Sequence, residues 1–180
     1  DGFYYSRYPA PIEGNELTDK NEFHKVFYHK LGTKQSEDAL IYENPEYPQR
    51  LYNASVSEDE QYLFLYENES STGNALYFRK VDKKEGAFIP VVTGFDNTAW
   101  VIDNIGDQLI VMTNIDAPRN KVMLVDPAMP DPASWKVLIP EKEEVLQGVQ
   151  ILGEKIFTTY MKDATSRVYL FSLEGEYEKE

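Results

Sequence analysis

The chain has no cysteine among its 180 residues. That excludes disulfide bonds, thiol catalysis and cysteine-ligated metals, and it is neutral between a reducing and an oxidising compartment. Histidine is nearly as scarce, with only His24 and His29. Five residues apart on one strand, the two rings point to opposite faces and cannot meet at one metal or act together. Both read as strand-surface or strand-end residues. Basic residues are outnumbered 18 to 31, a net charge of −13. A phosphate backbone requires a basic surface, so nucleic acid is excluded as a partner, and anionic membrane surfaces are disfavoured for the same reason. No apolar run approaches the roughly 18 residues of a membrane-spanning helix.

Recognisable catalytic motifs are also missing. There is no Gly-x-Ser-x-Gly elbow, no phosphate-binding loop, no Gly-x-Gly-x-x-Gly, no His-Glu-x-x-His and no acidic calcium loop. No cofactor is implied. The chain opens on Asp1-Gly2-Phe3 with neither an initiator methionine nor a signal peptide. It therefore reads as a piece of a longer protein, cytoplasmic or periplasmic, with the cytoplasm slightly favoured.

What is abundant is the aromatic side chain, with 13 Tyr and 9 Phe, and these favour strands. Residues 59–81 give an apolar run (Tyr62 to Tyr66), a polar loop with a glycine (Glu67 to Asn74) and a second apolar run (Ala75 to Val81). That is a β-hairpin pattern. The same phrase recurs at 3–31, 108–125 and 155–171. Second strands anchored on Val26, Leu76, Val122 and Val168 are 50, 46 and 46 residues apart. First strands anchored on Tyr62, Leu109 and Ile156 are 47 and 47 apart. A period near 46–50 with several short strands and no helical periodicity matches the four-stranded blade of a β-propeller.

The expectation is an all-β chain: one partial propeller domain over 1–180, with blades at about 1–44, 51–93, 98–140 and 144–174. The first blade lacks its inner strand and the last its outer one, which leaves about three and a half blades. The run Tyr62 to Tyr66 is apolar without alternation, so both its faces should be covered by neighbouring blades.

Two long loops interrupt the pattern. Pro9 to Phe23 is acidic and proline-containing, too polar to bury, and expected to be flexible. Pro127 to Ser134 carries three prolines. The acidic clusters at Glu58-Asp59-Glu60 and at Glu141, Glu143 and Glu144 read as turns with solvated faces. Trp100 and Trp135 are either stacking platforms for a ligand or packing residues, at the propeller centre and a blade edge respectively. Asn53-Ala54-Ser55 and Asn68-Glu69-Ser70 fit the glycosylation pattern, which carries little weight without a secretory context.

One segment is far more specific. Tyr28-His29-Lys30-Leu31-Gly32-Thr33-Lys34-Gln35-Ser36-Glu37-Asp38 resembles the Tyr-Tyr-His-x-Leu-Gly-Thr-x-Gln-Ser-Glu-Asp stretch of the prolyl oligopeptidase family, serine peptidases of family S9. Phe3 to Pro9 and Trp135 to Glu141 resemble flanking strands in the same order. The resemblance implies a seven-bladed propeller, of which this would be about half, joined to an α/β-hydrolase domain absent here. It implies cleavage of short peptides after proline, with the Ser-Asp-His triad on the absent domain, so no catalytic residue and no peptidase activity are expected in these 180 residues.

The implied partners are that hydrolase domain and short proline-containing peptides. The resemblance also places an outer substrate subsite at Leu51 and the Glu69–Ser71 loop, with Ser71 where mammalian relatives carry a cysteine. It places a gating loop at Pro9, Pro11, Glu13 and Gly14. Two other readings remain: a stand-alone propeller binding module, and the propeller of an oligopeptidase B-like peptidase. A partial propeller exposes apolar faces and strand edges, so the expectation is either self-association through them or an open arc of blades.

Overall fold

A computed structural model describes residues 1–14, 17–83 and 86–180. Among the described residues, fifteen strands form four antiparallel sheets in chain order. The first holds β1 (Gly2–Arg7), β2 (Lys25–Lys30) and β3 (Ala39–Tyr42). The second holds β4 (Leu51–Val56), β5 (Tyr62–Asn68), β6 (Ala75–Lys80) and β7 (Ile89–Val92). The third holds β8 (Ala99–Ile105), β9 (Gln108–Thr113), β10 (Lys121–Val125) and β11 (Lys136–Ile139). The fourth holds β12 (Val145–Leu152), β13 (Lys155–Lys162), β14 (Thr165–Ser172) and β15 (Tyr177–Lys179). Each sheet is an up-and-down meander, the blade of a propeller; the recurrent hairpin is β1 and β2 of the first sheet and the second and third strands of the other three. Among the described residues no helix is long and apolar enough to cross a membrane.

The fourth blade corrects the sequence reading. The chain does not stop at that blade's third strand: β15 pairs with β14 through Leu170–Lys179 and Phe171–Tyr177. The strand is three residues long and two of them are charged, so it has no apolar run to announce it. A turn at Gly175 (φ +83°) delivers it, and Tyr177 then packs edge-on to Phe171.

Strand β5 explains the packing. Every residue from Tyr62 to Glu67 is buried. Tyr62, Phe64 and Tyr66 join Ala99, Leu109 and Val111 of the third blade in one core. Leu65, on the opposite face, joins Val26 of the first blade in another. The unbroken apolar run is thus two interleaved faces with a blade against each. A third core joins Ile110 and Val122 of the third blade to Ile156, Tyr160 and Phe171 of the fourth.

Asp59 is the exposed turn residue the sequence predicts, and its carboxylate is also engaged: it accepts from Ser57 Oγ at 2.7 Å, from both the backbone and side-chain nitrogens of Gln61, and from Asn104 Nδ2 at 2.7 Å. The last bond ties the second blade to the third. The acidic group at 141–144 is also engaged, for Glu144 pairs with Lys162 and Glu141 accepts from the Arg119 backbone.

Candidate functional site

Strand direction gathers the informative loops at one rim. β4 starts opposite the end of β5, with Leu51 paired to Asn68, and β7 ends beside the start of β6. The β1–β2 loop of the first sheet, the loops between second and third strands of the other three, and the linkers between blades therefore lie at the same end of their sheets. That end carries Pro9, Pro11, Glu13, Gly14, Leu51 and Ser71 together. All six are exposed. Leu51, 40% exposed, stands at the mouth of β4 rather than within the packing between blades.

The foot of the Pro9–Phe23 loop is fixed. Tyr8 packs on His24 with ring centroids 4.7 Å apart. His24 Nδ1 accepts from the backbone N–H of Tyr52, beside Leu51, at 3.0 Å. Only a neutral imidazole nitrogen can accept that bond, and burial holds His24 below its ordinary pKa. Phe23 donates its backbone N–H to the Pro48 carbonyl at 2.6 Å. Further out, the Ile12 N–H donates to Asp19. Asn15 and Glu16 of the expected flexible stretch lie outside the described residues.

Under the rim sits a polar cluster that the sequence did not announce. Glu67 is 3% exposed. One of its oxygens accepts from Arg50 at 2.9 Å and from Tyr52 at 3.3 Å, and the other accepts from Tyr77 at 3.1 Å. Arg50 also donates to Glu69 at 3.2 Å. Its guanidinium lies 3.6 Å from the Tyr47 ring centroid and 4.8 Å from that of Phe95. Burial and then the Glu67 charge push the Tyr77 phenol up to about 12 and raise Tyr52 further. Against the loss of hydration, the two carboxylates raise the Arg50 pKa. The only sequence signal for this cluster is an acid, Glu67, directly after an apolar run.

The loop above it is closed tightly. Asn68 Nδ2 donates to the Gly73 carbonyl at 2.9 Å, and Ser70 Oγ bonds Thr72. Gly73 (φ +71°) lies against the Phe95 carbonyl, where a side chain has no room. Asn74 exchanges two hydrogen bonds with Ala99, each of 3.0 Å.

His29 lies on a different face. Its Nδ1 is 2.7 Å from Asp38 Oδ1, and Tyr5 donates to Asp38 Oδ2 at 2.6 Å. Burial works to raise the Asp38 pKa, but the bonds from Tyr5 and His29 outweigh it and hold it below its ordinary value. The two histidines are separate, as their spacing requires, and each is engaged. Trp100 packs at a tilt against Tyr66 with ring centroids 4.9 Å apart, and the Trp135 indole N–H donates to the Pro130 carbonyl at 2.8 Å. Both pack against the protein. Among the described residues no group of three or more His, Asp or Glu is placed to hold a metal. The rim thus brings together an exposed apolar side chain, a hydrogen-bonded loop and, beneath them, buried charge.

Comparison with known proteins agrees with this geometry. Residues 1–179 match the family model described as the prolyl oligopeptidase N-terminal beta-propeller domain. The chain is 39% identical over 176 residues to the prolyl endopeptidase of Elizabethkingia meningoseptica, covering 98% of this chain and 25% of that protein. It is 33% identical over 180 residues to the dual function macrocyclase-peptidase POPB of Galerina marginata, covering 97% and 24%. Among solved structures, prolyl oligopeptidase B from Galerina marginata bound to a 25mer macrocyclization substrate superposes with a TM-score of 0.92 at 30% identity, over 99% of this chain and 25% of that one. The chain spans about a quarter of the length of the relatives it matches. It belongs to the prolyl oligopeptidase N-terminal β-propeller family.

Proposed function

We propose that these residues are the substrate-filtering part of a serine peptidase that cleaves short peptides on the carboxyl side of proline. The observation that carries this reading is the match of the whole chain, blade for blade, to one quarter of a peptide-bound prolyl oligopeptidase. In this reading the catalytic serine, aspartate and histidine sit on an α/β-hydrolase domain of the same protein. The serine attacks the carbonyl carbon of the proline itself, the histidine takes its proton, and an oxyanion hole receives the developing charge. The propeller supplies none of those groups. It admits extended peptides and turns folded chains away, and it lends binding energy at a distance from the scissile bond. Leu51 and the Glu69–Ser71 loop form an outer subsite, and the Pro9–Phe23 loop gates entry beside it. Their common rim supports these roles.

The test is a peptidase assay on the complete natural protein containing this segment, and on residues 1–180 alone. The complete protein should cleave a proline-containing octapeptide and spare a folded protein with an exposed proline. Residues 1–180 should cleave neither. A complete protein that cuts both substrates equally, or neither, would overturn the reading.

A further inference from the structure

We propose that Arg50 is a positioning residue that sets the outer subsite for extended peptides. The inference rests on the reading of Leu51 and the Glu69–Ser71 loop as that subsite. Arg50 borders both parts of it. It precedes Leu51 in the chain. One arm of its fork reaches Glu67, whose carboxylate Tyr52 and Tyr77 already hold, so that arm has a fixed anchor. The other arm reaches Glu69 at the base of the loop.

The flat guanidinium is clamped between Tyr47, in the linker before β4, and Phe95, in the linker before β8. Phe95 in turn backs Gly73 at the far side of the same loop. Four segments therefore converge on one planar cation: the 43–50 linker, the end of β5, the β5–β6 loop and the 93–98 linker. The far end of the loop is fixed by backbone and Asn74 bonds into the third blade. At its near end, Arg50 supplies the bond to Glu69. Arg50 itself is covered, its side chain 17% exposed, so it acts through the loop rather than on the peptide. A lysine would retain the charge but could not fork to two carboxylates while lying flat between two rings.

The experiment uses the complete peptidase with Arg50→Lys, Glu69→Gln and Leu51→Ala, each assayed on a blocked glycyl-prolyl arylamide and on an octapeptide with central proline. Thermal unfolding is followed in parallel. Arg50→Lys should raise KM for the octapeptide about tenfold with kcat kept, as expected for losing one charged hydrogen-bonded tie. It should leave both constants for the arylamide unchanged, because that substrate does not reach the rim. Glu69→Gln should shift the octapeptide KM in the same direction by less. An Arg50→Lys enzyme whose octapeptide KM stays within about twofold of wild type, while Leu51→Ala raises it, overturns the role of Arg50 and leaves the subsite standing. If Glu69→Gln raises KM and Arg50→Lys does not, Glu69 meets the peptide directly and the positioning role is again overturned. Equal losses on both substrates with a lowered melting temperature would show a general structural role instead. If Leu51→Ala also changes nothing, the subsite reading falls and this inference falls with it.

Discussion

The ammonium nitrogen of Lys142 stands 4.5 Å from the centroid of the Tyr169 ring, and Tyr160, Phe171 and Tyr177 complete the enclosure at 5.0, 5.1 and 5.6 Å. A residue of the linker into the fourth blade thus reaches back over that blade's own aromatic side chains. Cation–π contacts at partly buried sites contribute about 1–2 kcal/mol. Lys142→Met keeps the length and apolar stem but loses the charge. It should lower the unfolding free energy by about that amount, measured by urea titration, while Lys142→Arg should restore most of it.

Glu67 presents the opposite case, a buried carboxylate held by Arg50, Tyr52 and Tyr77. Removing one partner of a buried ion pair strands the other charge, at a cost of about 3 kcal/mol. Glu67→Gln should therefore destabilise strongly although it is nearly isosteric. Glu67→Met combined with Arg50→Met should recover much of the loss, since neither charge is then left buried. Urea unfolding of both variants checks this, and a double variant less stable than Glu67→Gln would contradict it.

The pH dependence has two windows. His24 has a folded pKa below its ordinary 6.5, so the unfolded chain takes up its proton first as pH falls. Its contribution is complete above about pH 6.5 and is lost as pH drops below that value. Asp38 and Asp59 have folded pKa values below 3.8, so their contributions are present above 3.8 and are lost as pH falls through the folded values. Stability measured from pH 8 to pH 3 should fall in two separate stages. His24→Gln should remove the upper stage only, and Asp38→Asn should diminish the lower one.

Gly73→Ala should be far more costly than Gly94→Ala. Both glycines have positive φ, +71° and +85°. A methyl group at Gly94 meets open space, whereas at Gly73 it meets the Phe95 carbonyl. The left-handed conformation alone costs an alanine roughly 1 kcal/mol, and Gly73→Ala adds displacement of a linker to that. Differential scanning calorimetry on the two variants should separate them by several degrees.

Residues 1–180 alone should associate at high concentration. Phe3 of the first blade and Val168 of the fourth are each half exposed. Light scattering across a dilution series should show a mass that rises with concentration, and a constant monomeric mass would contradict the expectation.

The blades were legible because each hairpin repeats the same grammar: an apolar run, a polar loop with a turn residue, another apolar run. The fixed period then distinguished a propeller from an isolated hairpin. Tyr177–Lys179 escaped because an edge strand of three residues needs only a neighbour's backbone and one ring on Phe171. The rim was partly legible. Leu51 and Ser71 came from the family resemblance, and the structure places them at one end of one sheet. The cluster around Arg50 was not legible, since its members come from the 43–50 linker, from β5 and from Phe95. Nothing in the local pattern around Arg50 distinguishes it from a solvated arginine. The bond from Asn104 to Asp59 was not legible for the same reason: the two residues lie 45 apart.

The division of β5 between two cores has a consequence for how the molecule comes apart. Because Phe64 belongs to the packing with the third blade and Leu65 to the packing with the first, this strand cannot loosen without disturbing neighbours on both sides. The blades then behave as a row of dominoes standing shoulder to shoulder, in which cohesion is a nearest-neighbour property. Within residues 1–180 taken alone, the first and fourth blades each have one such neighbour and the middle two have two. Amide exchange should therefore be slowest along β5 and β9 and quicken toward β1 and β15, so that the row erodes from its ends inward.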